Sequence, residues 1–322
     1  MKTRTRLLLF LGALALATGS WAQEFPSRPL RFVVPYPPGG SLDVVARAMA
    51  PKLSAALGQP VVIDNRAGAS GTIGSEFVAR AAPDGYTFGI ASPASHSVPV
   101  ALGKKLPYDP VKDFTPLALL VKNPLVIVVN ASLPVKTLKE LGEYGRQHPG
   151  TLSFGTSGEG STQHMEGLKF NRLAGIEMLH VPYKGGGLAL TDLLGGQIQV
   201  GFQTIPTVFQ HIKAGKLRAL AVLDTERYKA LPDVPTHREA WAGYDARMSW
   251  ILAVGPAGMP PAIAERLSRE MIKALNDPEV RGDLEANGQP VVAERGPKVE
   301  RLLRDDIAYW KTVARDAKLK VD

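Results

Sequence analysis

Five short segments combine small residues with neutral hydrogen-bond donors, and each follows an apolar run of strand length. The first is Pro37-Pro38-Gly39-Gly40-Ser41-Leu42-Asp43. Its prolines stiffen the approach, and its glycines let peptide N–H groups face outward and let a ligand come close. Ser41 or Asp43 is suited to cap a following helix. A helix start offers unpaired N–H donors at the positive end of the dipole, which favours an anion. The second segment, Gly155-Thr156-Ser157-Gly158-Glu159-Gly160-Ser161-Thr162-Gln163-His164, is dense in hydroxyls. The third is Pro182-Tyr183-Lys184-Gly185-Gly186-Gly187; the fourth and fifth are Ser92-Pro93-Ala94-Ser95-His96 and Gln203-Thr204-Ile205-Pro206. One such segment is ordinary turn chemistry. Five at five strand ends describe a cleft lined by backbone amides and hydroxyls.

Catalytic patterns fit less well. Gly155-Thr156-Ser157-Gly158-Glu159 fails the nucleophile elbow at its fifth position. Gly158-Glu159-Gly160-Ser161-Thr162-Gln163 fails the dinucleotide fingerprint at its last position, and no Gly-Lys-Ser/Thr phosphate loop occurs. The histidines show no zinc-site spacing, so no metal or cofactor is expected. A hydrolase using Ser157 or Ser161 with a distant histidine stays open as a rival. Lys184 reads as a surface cation, and Tyr36, Tyr183 and Trp250 as aromatics able to flank a ring-bearing ligand.

The elements that must hold these loops alternate. Strand-like runs at 30–34, 61–63, 86–91, 125–129, 152–154, 178–181, 198–202, 217–223 and 249–254 are interleaved with helical stretches. The first helix, 42–57, contains Pro51, which should kink it, and ends at Gly58 in a left-handed cap. Such βα units imply mostly parallel sheets covered on both faces, with ligands beyond the carboxyl ends of the strands. No flexible linker divides the chain, although its length suggests two domains. The chain is therefore expected to cross between lobes more than once, at 113–125 and 240–250.

The sequence has 322 residues, a formal charge of +8 and no cysteine. This excludes disulfides, thiol catalysis and thiolate metal sites. Lysines and arginines are scattered, without the basic stripe that nucleic-acid binding requires. Lys2, Arg4 and Arg6 precede an apolar run at 7–17, and Ser20-Trp21-Ala22 offers small residues where an export peptidase reads. Residues 1–22 are thus expected to be a signal peptide cleaved after Ala22. The apolar run is too short to span about 30 Å of hydrocarbon.

These segments carry a resemblance along essentially the whole mature chain. It rests on Val33-Val34-Pro35-Tyr36-Pro37-Pro38-Gly39-Gly40-Ser41-Leu42-Asp43, Gly58-Gln59-Pro60-Val61-Val62-Ile63-Asp64-Asn65-Arg66-Ala67-Gly68, Leu106-Pro107-Tyr108-Asp109-Pro110, His180-Val181-Pro182-Tyr183-Lys184-Gly185 and Leu231-Pro232-Asp233-Val234-Pro235-Thr236. The chain resembles the substrate-binding proteins of tripartite tricarboxylate transporters, the Bug-type periplasmic receptors. The resemblance implies an α/β, two-lobed, type II periplasmic-binding architecture with a hinge, each lobe a mostly parallel sheet flanked by helices. One lobe would comprise 23–122 with 250–322, the other 123–249. It implies a periplasmic protein that captures a small carboxylate between the lobes and delivers it to membrane components of a transporter, without catalysis; nothing in the sequence demands association, so a monomer is expected. Carried onto this chain, the ligand-gripping set is Tyr36, Pro38, Gly39, Gly40 and Ser41 in one lobe, and Ser157, Gly158, Ser161, Thr162, His164, Tyr183 and Gly185 in the other. Ser92 and Gln203 join it from the fourth and fifth loops.

At one position the chain departs from its relatives: Gln203 stands where many place an aspartate able to pair with an ammonium. An unpaired buried ammonium costs several kcal/mol. The expected ligand is therefore a dicarboxylate or aromatic carboxylate lacking an amine. A receptor component of a carboxylate-sensing system would share this fold and site.

Overall fold

A computed structural model describes residues 25–316; the expected signal peptide and its cleavage site lie outside the described residues. Among these residues eleven strands, β1 to β11 in chain order, are Leu30–Val34, Val61–Asn65, Thr87–Ala91, Phe114–Lys122, Leu125–Asn130, Ser153–Thr156, Leu179–Pro182, Val200–Thr204, Leu217–Leu223, Trp250–Pro256 and Val291–Glu294. They form two sheets, ordered β11-β4-β10-β3-β1-β2 and β7-β6-β8-β5-β9. Helices flank both sheets, giving the two-lobed α/β fold.

Both sheets are mixed. The pairs β1–β2, β1–β3, β6–β7 and β6–β8 are parallel, as βα repeats require. The strands that border the passages between lobes run antiparallel to their neighbours: β10 against β3 and β4, and β5 against β8 and β9. A chain that leaves one sheet and later returns comes back reversed.

The first passage is narrower than the sequence suggested. Most of 113–125 is strand β4, whose burial on both faces hides the alternation that would have marked it. Pro116 is accommodated at a register shift opposite Val254. Only Asn123 and Pro124 separate β4 from β5. The return passage ends at Ser249, whose carbonyl accepts from the Asn123 N–H at 2.8 Å. The two connections therefore lie side by side.

Each lobe has an apolar core on each face of its sheet. One face of the first sheet buries Phe32, Phe88 and Leu120 against the helices Ser41–Leu57 and Pro261–Asn276. The helix Ser41–Leu57 runs unbroken through Pro51 and ends at Gly58 in the left-handed conformation (φ 69°). The second lobe buries Phe154, Phe170, Phe202 and Ile127. Met165 of the second lobe packs with Val98 and Leu102 and with Trp310 of the long helix Pro297–Asp316, so one apolar cluster spans both lobes. No helix among the described residues is long and apolar enough to cross a membrane.

Candidate functional site

The loop after β1 leads into the helix Ser41–Leu57, whose N-cap is Gly40 in an extended conformation with no side-chain cap. Sequence reasoning offered Ser41 or Asp43 as the cap, and neither fills that role. Asp43 is buried and turned back on its own loop. Its Oδ2 accepts from the Gly39 N–H at 2.9 Å and from Arg47 Nε at 2.7 Å, and its Oδ1 accepts from Asn65 Nδ2 at 2.9 Å. Burial alone would raise its pKa, but the bonds from Arg47, Gly39 and Asn65 outweigh it and hold the carboxyl below the ordinary carboxylate range. The acid thus stiffens the loop while the first helical N–H groups stay free of side-chain partners.

The same arrangement recurs in the opposite lobe. The helix Gly186–Leu194 starts behind Gly185, which lies at φ 147° and ψ 158° and has no side-chain cap. That conformation belongs to glycine, so the chain has a backbone reason for glycine there. The helix Ile205–Lys213 starts behind Thr204, again without a side-chain cap; Thr204 Oγ1 instead bonds Thr207 Oγ1 at 2.8 Å. The helix Thr162–Ala174 differs, because Ser161 Oγ accepts from the His164 N–H.

These helix starts converge. Tyr36, Pro38, Gly40, Ser41, Ser92, Ser157, Thr162 and Gly185 line one cleft of about 350 Å³ between the lobes. Lys184 is the only fully charged side chain in its lining, and no carboxylate lines it among the described residues. Leu42, Ala94 and Leu188 supply apolar wall. A second cavity of about 720 Å³ adjoins it, shares Tyr36, Ser157 and Lys184, and adds Gly158, Tyr183, Lys104 and Lys105. The lobes touch across this opening. Ser70 Oγ donates to the Glu159 carbonyl at 2.8 Å, and Tyr36 Oη donates to the Ser70 carbonyl at 2.8 Å. Ser70 is in a left-handed conformation (φ 53°, ψ 33°).

Of the remaining residues of the expected set, Gly158 and Tyr183 line the adjoining cavity, Gly39 is exposed on its loop, and Ser161, His164 and Gln203 are buried outside the cleft lining. Gly39 is tied to Asp43. Ser161 and His164 brace their loop from beneath: the Gly160 N–H donates to His164 Nδ1 at 3.1 Å, and the His164 ring stacks on His180 at 3.8 Å. Burial, with His180 and Lys104 nearby, lowers the His164 pKa to about 3; burial lowers His180 to about 4. Tyr183 Oη donates to Asp192 Oδ2 at 2.6 Å, and burial together with that carboxylate pushes the phenol up to about 12. Gln203 is fully buried, and neither end of its amide has a partner among the described residues. Its Oε1 lies 3.1 Å from where a Cβ on Gly186 would stand, directly beneath the cleft wall. Trp250 is core, not cleft.

Ser157 Oγ donates to Gln163 Oε1 at 2.6 Å, and the Ser161 hydroxyl serves as a helix cap. Neither serine is bonded to an imidazole nitrogen among the described residues. Sequence reasoning missed Asn123, Ser249, Thr207 and Leu188, which also line the cleft. Asn123 and Ser249 belong to the interlobe passages, where no glycine or helix-start signal marks them.

Comparison with known proteins agrees with this geometry. Residues 45–319 match the model of the tripartite tricarboxylate transporter family receptor. Protein BugT of Bordetella pertussis is 36% identical, over 98% of this chain and 99% of its own. Among solved structures, the periplasmic binding protein BugD is 32% identical with a TM-score of 0.87, covering 92% of this chain and 99% of its own. The R. palustris protein Rpa4515, solved with adipate, is 34% identical with a TM-score of 0.88 over 92% and 99% of the two chains. MatC from Rhodopseudomonas palustris, with bound malate, is 36% identical with a TM-score of 0.85 over 90% and 99%. The two-lobed fold, the cleft of helix starts and the match over most of the length lead to one conclusion: this chain belongs to the Bug-type receptor family of tripartite tricarboxylate transporters.

Proposed function

We propose that the protein is a periplasmic receptor that captures a small carboxylate lacking an amine, a dicarboxylate or an aromatic acid, and presents it to the membrane components of a tripartite transporter. The observation that carries this reading is the convergence of helix starts without side-chain caps, at Gly40, Gly185 and Thr204, on a cleft with no carboxylate in its lining. Free N–H donors at helix starts favour an anion, and an ammonium in the cleft would find no counter-charge among its described lining residues, Glu159 lining only the adjoining cavity beside Lys104 and Lys105. The apolar wall of Leu42, Ala94 and Leu188 suits the hydrocarbon between two acid groups or an aromatic ring. The adipate and malate carried by two relatives are both amine-free diacids.

The ligand-contacting residues in this reading are the eight of the expected set that line the cleft, with Gly158 and Tyr183 at its mouth. The other four hold the loops in shape. Lobes of 23–122 with 250–322 and of 123–249 are consistent with the membership of the two sheets. Export follows cleavage after Ala22, and the receptor works as a monomer.

Calorimetry against adipate, succinate, malate, benzoate, glutamate and aspartate tests the reading. An amine-free acid is expected to bind tightest and to raise the melting temperature. An amino acid binding tightest, or no acid shifting the melting temperature, would overturn it.

A further inference from the structure

The cleft and the larger cavity beside it differ in their charge. Asn123 and Ser249, bonded through their backbones, wall the cleft where the chain passes between lobes, and neither reaches the larger cavity. Tyr36, Ser157 and Lys184 line both spaces and mark where they join. The wall of the larger cavity includes the exposed residues Ala67, Ala69, Lys105, Glu159 and Pro182, so this cavity opens to solvent. It is the mouth of the cleft. Lys104 and Lys105 of the first lobe and Lys184 of the second line it, against the one carboxylate of Glu159 among the described residues. No ammonium of the three is ion-paired or hydrogen-bonded among the described residues. Lys104 reaches across the gap: its Nζ lies 3.5 Å from where a Cβ on Gly160 of the second lobe would stand. Unpaired cations from both lobes are thus gathered on a concave wall, where low-dielectric sides focus their field.

We propose that Lys104 and Lys105 form an entry site for the anion, drawing its acid group into the mouth and setting the rate of association without gripping the bound ligand. This rests on the carboxylate-receptor reading above. Lys104 and Lys105 line the mouth alone, whereas Lys184 lines mouth and cleft. The acid is therefore passed from the first-lobe ammoniums to Lys184 and on to the helix-start N–H groups. A doubly charged acid about 10 Å from one ammonium in water is enriched about fourfold at low salt, so two lysines supply about tenfold. At about 0.5 M salt screening acts over about 4 Å, and that advantage disappears.

The test measures association and dissociation rates by stopped-flow fluorescence in the full mature protein and in K104Q/K105Q. The probe is whichever of adipate, succinate, malate and benzoate binds tightest in calorimetry. At about 10 mM salt, association in the variant is expected to fall about fivefold or more for a diacid and about threefold for benzoate, with dissociation changed less than about twofold. At about 0.5 M salt the two proteins should associate alike. Charge reversal in K104E/K105E should deepen the loss at low salt and again converge with wild type at high salt. Association indifferent to both charge changes would overturn the proposal. So would faster dissociation with unchanged association, because the lysines would then hold the bound acid, or a loss that persists at high salt, because it would then come from shape. Each of those results leaves acid binding, and the carboxylate-receptor reading, standing; no acid binding at all would overturn both.

Discussion

Replacing Ser70 by alanine removes the side-chain bond that reaches from the first lobe to the Glu159 carbonyl of the second. The bond exists only when the lobes are together, so its loss acts on closure and leaves each lobe intact. Both ends are near solvent, so its net worth is about 1 kcal/mol. If ligand is held between closed lobes, affinity should fall about fivefold. A glycine at the same position isolates this term. Ser70 sits at φ 53°, a conformation that costs an L-residue about 1 kcal/mol more than glycine, a cost set by the backbone of its own lobe and independent of its hydroxyl. Ser70→Gly should therefore lose the same fivefold in affinity yet melt about 2 °C higher than Ser70→Ala. Calorimetry gives the affinities, thermal unfolding without ligand gives the stabilities, and solution scattering follows closure. A Ser70→Ala protein that binds within twofold of wild type would refute the latch. So would two variants whose affinities diverge in step with their melting temperatures, because backbone strain would then control binding.

Two further outcomes follow from packing and titration. Gly167 of the helix Thr162–Ala174 lies against the Phe154 ring, so a methyl in Gly167→Ala has no room; the urea midpoint should fall by the equivalent of about 1–3 kcal/mol, and an unchanged midpoint would show that the helix shifts freely. His96, His164 and His180 are held by burial to about 3, 3 and 4, below the ordinary 6.5. Each stays neutral when folded while the unfolded chain takes up protons, so stability is complete above about pH 6.5 and declines as the pH falls toward 4. Melting temperatures from pH 7.5 to 4.5 should record that decline, and His180→Gln should flatten part of it; an identical slope in the variant would assign the loss to other groups.

The five loops were legible because glycine, serine and proline after an apolar run carry a local backbone meaning, and those loops do meet at one cleft. What lay behind them was not. Nothing local distinguishes Ser157, which faces the cleft, from Ser161, which caps its helix. His164 entered the expected set through the family resemblance; its ring stacks on that of His180, a contact between positions distant in sequence that nothing local announces. Asn123 escaped notice because its place in the cleft lining comes from position in space. Strand β4 was hidden by burial on both faces, and β11 is a four-residue strand that includes Ala293 in a left-handed conformation. The alternation of strands and helices, and the double passage without a linker, came through because both are patterns of the whole chain.

Strands β4 and β10 pair as the arms of a hairpin would, with the entire second lobe standing in place of the turn. In an unfolded chain, bringing those arms together means closing a loop of more than a hundred residues, about 3 kcal/mol costlier in entropy than a tight bend. Once the intervening half has condensed, its two exits are already neighbours through the Asn123–Ser249 bond, and that penalty is gone. The inserted half is thereby cast as the template of assembly. The sheet that holds β1 and β11 is completed upon it.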